Sequence, residues 1–373
     1  MIINKHILKL SDIYYHKKQF YINNNNPYLD KFIYNYSLQT FDTEINNIEN
    51  VETLFVIKTL HHCFCHAIID CLFPIYWAVN DINNNNDKNI NLKNLTLFIR
   101  EHEFIKYPGY NLRKVNNNSQ KYNGCWNDLI SIISEKNIFE HNLDNNKAIF
   151  IKNCYFYIKD DNHSRSPWSC NKYFNGRGSQ ISPFSDLTLK KQLTSFSNFV
   201  KSKYKLQKQN LNRNIVLINR RGKRNIDEII DKLDKILNNF SNYKGIIYLE
   251  DLSFRKQIEL FINNFIFIAP HGAGMIHHIW SKNKVIIEII STSGVNRMYK
   301  RISDITNNLI FQIDRKHILS NIKEIIKLVL NTYVEHDPLN IISSPYKKKC
   351  YSVYFPLENI LKYEIQNKEM ILF

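Results

Sequence analysis

The chain has 373 residues, enough for two domains that each bury a core of their own. Hydrophobic residues make up 44% and charged residues 23%, which excludes a disordered chain, and no apolar run reaches the ~18 residues of a membrane-spanning helix. The net charge of +16 suits an anionic ligand such as a nucleotide, a nucleic acid or an acidic glycan; the basic residues are spread along the chain instead of gathered in one arm, which argues against nucleic acid.

The opening stretch MIINKHILKLSDIYYHKK has neither an h-region nor a small-residue cleavage site. The seven cysteines follow no framework spacing, so reduced thiols and a cytoplasmic location are expected. The asparagine runs at 23–26 and 83–86 read as solvated loops and as the mark of an AT-rich genome.

In the first half, 54–58, 95–100 and 148–152 read as strands, with helical patterns around 61–80 and 126–133. The polar stretch 160–183 is rich in turn residues and reads as a long functional loop. Its His163, Arg165, Trp168 and Arg177 are of types that suit sugars. The second half has a regular rhythm. Short apolar runs at 214–218, 245–249, 265–269, Val285–Ile290 and 309–313 alternate with helical patterns at 226–237, after Ser253, after Gly274, near 298–306 and at 319–330. Continuous apolar strands separated by helices predict a parallel, doubly wound, Rossmann-like sheet. The expected domains are 1–207 and 208–336, both α/β. A tail over 337–373, irregular around Pro338, Pro345 and Pro356, would end in a helix near 357–366 that packs back on the first domain.

Ligands of open parallel sheets sit beyond the carboxyl ends of the strands. The first strand of the second domain leads into Arg220, Arg221 and Arg224, and the third into Pro270-His271-Gly272-Ala273-Gly274. Glycines let a backbone approach an anion, the next helix turns its free N–H groups the same way, and arginine forks onto phosphate. Glu288, in an apolar strand, is placed to accept from the vicinal hydroxyls of a ribose. Phosphate plus ribose means a nucleotide.

HHCFCHAIID, residues 61–70, raises a separate question. On an α-helix His66 and Asp70 share a face, so a carboxylate-backed imidazole is available as a general base. The rival readings are a zinc site and a buried polar pair. Cys63 and Cys65 lie on different faces of such a helix and no second Cys/His cluster accompanies them, which argues against zinc.

The stretch EDLSFRKQIELFINNFIFIAPHGAGMIHHIWSKNKVIIEII resembles the hallmark segment of glycosyltransferase family 61, and NRRGKRNI resembles the family's upstream basic segment. CHAIIDCLFP resembles the family's His-Trp-x-x-x-Asp-x-x-Pro helix, with Ala67 in place of the aromatic. Asp227 stands where the family more often has Asn, and His277-His278 where a small polar residue is commoner. The resemblance implies a GT-B architecture, two Rossmann-like domains facing across a cleft. It implies inverting transfer from a UDP-sugar, such as UDP-xylose or UDP-N-acetylglucosamine, to a hydroxyl of a glycan or glycoprotein acceptor. No cofactor or essential metal, no nucleic-acid partner and no membrane span are expected. Carried over by position, Arg220, Arg221, Arg224, His271, Gly272, Ala273, Gly274 and Glu288 hold the donor nucleotide, and Asp70 with His66 is catalytic. His163, Arg165, Trp168 and Arg177 are placed on the acceptor side. The alternatives are an inactive nucleotide- or glycan-binding homologue and a basic nucleic-acid-binding protein.

Overall fold

The computed structural model describes residues 2–4, 7–17, 19–22, 38–40, 48–57, 65, 67–85, 90–99, 130–139, 143–144, 147–157, 186–206, 213–221, 224–290, 297–335 and 351–353. The chain is an α/β protein of two compact units, Met1–Tyr173 and Phe174–Phe373. The division comes earlier than the boundary expected at 207/208, because helix Asp186–Lys203 packs within the second unit.

The first unit carries β1 (Ile2–Asn4), β2 (Ile7–His16), β3 (Gln19–Ile22), β4 (Leu38–Thr40), β5 (Ile48–Ile57), β6 (Thr96–Ile99), β7 (Lys136–Phe139) and β8 (Ala148–Tyr157). Their order is β4-β3-β2-β8-β5-β6-β7, with β1 paired to β2. β8, β5, β6 and β7 run parallel, whereas β2 is antiparallel to each of its neighbours β1, β3 and β8. Leu54, Phe55 and Val56 of β5 are all buried, as a strand covered on both faces requires. Tyr15, Phe20, Phe98 and Phe156 interlock edge-on in the core, with ring centroids 4.7 to 5.6 Å apart.

A π-helical turn, Ala67–Leu72, leads into α1 (Phe73–Asn85). The sequence predicts helix over 61–80; the described turn Ala67–Leu72 is π, with i→i+5 bonding, ahead of the α-helix.

The second unit is built on β9 (Ile215–Asn219), β10 (Tyr243–Tyr248), β11 (Ile266–Pro270), β12 (Val285–Ile290), β13 (Leu309–Asp314) and β14 (Tyr351–Val353). They are all parallel, in the order β10-β9-β11-β12-β13-β14. The helices are α2 (Asp186–Lys203), α3 (Asp227–Leu237), α4 (Phe254–Asn263), α5 (Arg297–Thr306) and α6 (Ile318–Glu335). Alternate strand residues, among them Ile215, Leu217, Ile266, Ile268, Ile287 and Ile313, pack on α3 and α6. The opposite face meets α2, α4, α5 and a 3₁₀ helix, Ala273–Trp280, which contact one another and stack Phe261 on Phe267 at 4.3 Å. Helices on both faces make the sheet doubly wound. The described part of the tail is β14, an edge strand of this sheet; 357–366 lies outside the described residues.

Candidate functional site

The crossover from β9 leads outward to β10, and the crossover from β10 returns past β9 to β11, so the sheet order reverses between β9 and β11. Such a switch point opens a crevice at the carboxyl ends of the two strands. The two segments singled out in the sequence, the basic turn and the glycine loop, leave these two strand ends.

The basic turn is anchored by Asn219, the fully buried last residue of β9. Its Oδ1 accepts from the Ile226 amide (3.1 Å), and its Nδ2 donates to Asp227 Oδ1 (2.7 Å) and to the Tyr248 hydroxyl (3.4 Å). One side chain therefore holds both ends of the turn that carries Arg220 to Arg224. It also explains Asp227, whose oxygen accepts as an asparagine's would. Arg220 lies against the glycine loop, with its Nη1 donating to the His271 carbonyl (3.4 Å). Arg221 goes elsewhere. It forks onto Asp251, with Nε to Oδ1 at 3.2 Å and Nη2 to Oδ2 at 2.5 Å, and lies over the Tyr248 ring. The hydrogen bond it donates to Asp251 raises its pKa above the usual arginine value. Arg224 is exposed, in left-handed backbone at φ +64°.

The glycine loop is shaped by close packing. A Cβ on Gly272 would lie 2.1 Å from Arg220 Nη1, and one on Gly274 would lie 2.6 Å from Leu249 Cδ1. Leu249 opens the 3₁₀ turn Leu249–Asp251, which Gln257 of α4 holds by donating to the carbonyls of Leu249 (2.9 Å) and Leu252 (3.0 Å). Ser253 caps α4 by accepting from the Lys256 amide, as its sequence position predicts. The glutamate-to-phenylalanine entry and the glycine loop therefore fit together through Leu249 and Gly274. The helix after the loop is 3₁₀, not the expected α; its first bond, Met275 N–H to Gly272 O, leaves the opening amides outside the ladder.

His271 is the partly exposed member of a buried chain. Its Nδ1 is 2.5 Å from Glu288 Oε1, and Gln312 Nε2 donates to Glu288 Oε2 (2.7 Å). Glu288 is 0% exposed. Alternation along β12 sets it on the sheet face opposite Ile287 and Ile289, and both its oxygens are taken within the protein. Tyr299 of α5 donates to the Gly272 carbonyl (2.6 Å) and stands edge-on to the His271 ring. Across the sheet end, Arg315 bonds the Asn225 carbonyl and ion-pairs with Glu228, joining the starts of α3 and α6. Asn219, Tyr299, Gln312 and Arg315 were not read from the sequence. The register of β12 with β13, which sets Glu288 beside Gln312, reveals the part of Gln312, and the packing of α5 that of Tyr299.

His277 and His278 belong to the core. His277 accepts from Trp280 Nε1 (3.0 Å) and packs between Phe254 and Phe261. His278 Nδ1 donates to the Met275 carbonyl, and Asn308 binds the His278 carbonyl (2.9 Å). Burial lowers their pKa values to about 3 and about 4, so both imidazoles are neutral at pH 7.

Residues 64–287, more than half of the chain, match the family model for glycosyltransferase 61. The chain belongs to glycosyltransferase family 61. Membership supports a transferase acting between a sugar donor and a glycan acceptor. No curated protein matches the chain individually. The glycosyltransferase 61 match takes in Cys65 to Asp70, the basic turn and the glycine loop, and ends just before Glu288. Of the family-derived catalytic pair, Asp70 has a described backbone in the π-helical turn, while its side chain and all of His66 lie outside the described residues. His163, Arg165, Trp168 and Arg177 also lie outside them. So do His62 and Cys63; Cys65 is buried, and the described residues hold no cluster of three or more His, Cys, Asp or Glu side chains suited to a metal. Among the described residues no helix is long and apolar enough to cross a membrane.

Proposed function

We propose that this family 61 protein is an inverting glycosyltransferase of the GT-B type. Its donor is a UDP-sugar, such as UDP-xylose or UDP-N-acetylglucosamine, and its acceptor a hydroxyl of a glycan or glycoprotein. The observation that carries the donor half is Arg220 lying against Gly272 at the β9/β11 switch point. A cation beside a glycine at the mouth of a helix is the arrangement a diphosphate needs.

In this reading Arg220 and the amides of Ala273 and Gly274 receive the diphosphate, and Arg224 joins from the exposed turn. His271 meets the donor with the edge of its ring that Glu288 does not hold. Glu288 acts through His271 and not on the ribose. Asp70, supported by His66, takes the proton from the acceptor hydroxyl as its oxygen attacks the anomeric carbon. The bond from that carbon to the phosphate oxygen breaks on the opposite side, and the diphosphate leaves with the electron pair. π-helical turns are often found at functional sites, which supports placing the base on Ala67–Leu72. Fixed cationic and N–H groups neutralise the leaving group, so neither a divalent metal nor another cofactor is required. His163, Arg165, Trp168 and Arg177 are proposed to line the acceptor side.

A thermal-shift screen over UDP-, GDP- and CMP-linked sugars, followed by a transfer assay, tests this reading. UDP-sugars are expected to stabilise the protein most. Asp70→Asn is expected to keep that shift and lose about 10²- to 10⁴-fold in transfer rate. Full turnover by Asp70→Asn removes the base from this position.

A further inference from the structure

We propose that Gln312 and Tyr299 are positioning residues that fix which nitrogen of His271 meets the ligand and where the Gly272 carbonyl points. Both lie beyond the stretch matched by the family model, one on β13 and one on α5.

Glu288 sits in an apolar strand with no exposed surface. A carboxylate is tolerated there only when its oxygens receive hydrogen bonds. Gln312, 1% exposed and the register partner of Glu288 across β12 and β13, supplies a donor to Oε2 at 2.7 Å. The other oxygen, Oε1, then takes its hydrogen from His271 Nδ1 at 2.5 Å. The imidazole is thereby held with its proton on Nδ1, and Nε2 is the nitrogen left for a ligand. The chain Gln312–Glu288–His271 is a fixed sequence of donor, double acceptor and donor. Without the Gln312 amide, Oε2 loses that donor, and the carboxylate is free to turn. The Nδ1–H form of His271 is then no longer enforced.

Tyr299 acts on the next residue. The Gly272 carbonyl accepts both from the Tyr299 hydroxyl (2.6 Å) and from the Met275 amide (3.0 Å). Two donors turn this carbonyl inward, so the following amides face out of the helix mouth. The Tyr299 ring also stands against the His271 ring, with centroids 5.5 Å apart. Tyr299 therefore orients the amide edge of the loop, while Gln312 orients the imidazole.

The functional part of this inference rests on the proposed donor site; the tautomer does not. Long-range ¹H–¹⁵N spectra of the full-length protein, ¹⁵N-labelled at histidine and recorded at alkaline pH, read the tautomer directly. The wild type is expected to show His271 with its proton on Nδ1. An Nε2–H tautomer in the wild type overturns the proposal without any variant being made. Gln312→Met keeps the shape without the donor, and is expected to give a mixture of tautomers and about tenfold weaker UDP binding. Tyr299→Phe is expected to keep the Nδ1–H tautomer and weaken UDP by about fivefold. A single Nδ1–H form in Gln312→Met, or UDP affinity unchanged in both folded variants, contradicts the positioning roles. Wild-type protein that shows the Nδ1–H form but does not bind UDP refutes the donor reading and leaves the tautomer assignment standing.

Discussion

A methyl group at position 272 would fall 2.1 Å from the Arg220 guanidinium. The backbone at Gly272 is extended and open to any residue, so the glycine is required by its neighbour and not by its own dihedral. Gly272→Ala is therefore expected to fold normally, because the far end of an arginine can swing away, and to lose Arg220 from the site. Its UDP affinity should fall as far as that of Arg220→Ala, by about 1.5–3 kcal/mol for a charge-assisted bond. Calorimetry on both variants checks this; wild-type affinity in Gly272→Ala means that Arg220 does not act from this position. These residues stand out in the sequence because they follow the ends of apolar runs. Their partners do not. In the structure Glu288 bonds His271 and Gln312, and Arg221 forks onto Asp251, partners that lie far away in sequence.

β9 to β13 and α3 to α6 of the second unit were legible because buried elements leave a mostly apolar mark, and β12 begins and ends where its apolar run does. β1 to β4 and β7 were not, since their tyrosines, lysines and asparagines give neither an apolar run nor clean alternation. α2 was passed over although Leu189, Leu193, Phe196 and Val200 mark one helical face. The 3₁₀ helix Ala273–Trp280 carries a liability of its own in His277 and His278. Both are fully buried, with pKa values lowered to about 3 and about 4. In the unfolded chain they take protons near an ordinary value of about 6.5. Stability is therefore complete above that pH and is lost as pH falls toward the folded values. The loss is about 1.4 kcal/mol per residue per pH unit, or roughly 4 kcal/mol for the pair at pH 5. Melting temperature followed from pH 8 to pH 5 is expected to drop below about pH 6.5, with the ring signals of both histidines unshifted until unfolding. Free titration of either ring in folded protein at pH 6 contradicts their place in the core.

At the scale of the whole molecule, the chain divides into two compact units, and α2 belongs to the second. The sequence marks strands and helices more clearly than it marks which unit a solitary helix joins, since an apolar helical face fits either core. The net charge of +16 favours anionic ligands over the whole surface, and the switch point gathers a cation, a glycine loop and a helix mouth on two adjacent strands. If those groups suffice to hold a diphosphate, transfer is expected to persist in EDTA and to gain little from Mn²⁺. Loss of activity in EDTA with recovery on Mn²⁺ would assign the leaving group to a metal. The central claim, a nucleotide diphosphate seated between β9 and β11, is tested most directly by calorimetric titration of UDP in EDTA into wild-type and Arg220→Ala protein. The account requires saturable one-to-one binding to the wild type and at least about tenfold weaker binding to Arg220→Ala; equal affinity in the two proteins, or no binding to the wild type, contradicts it.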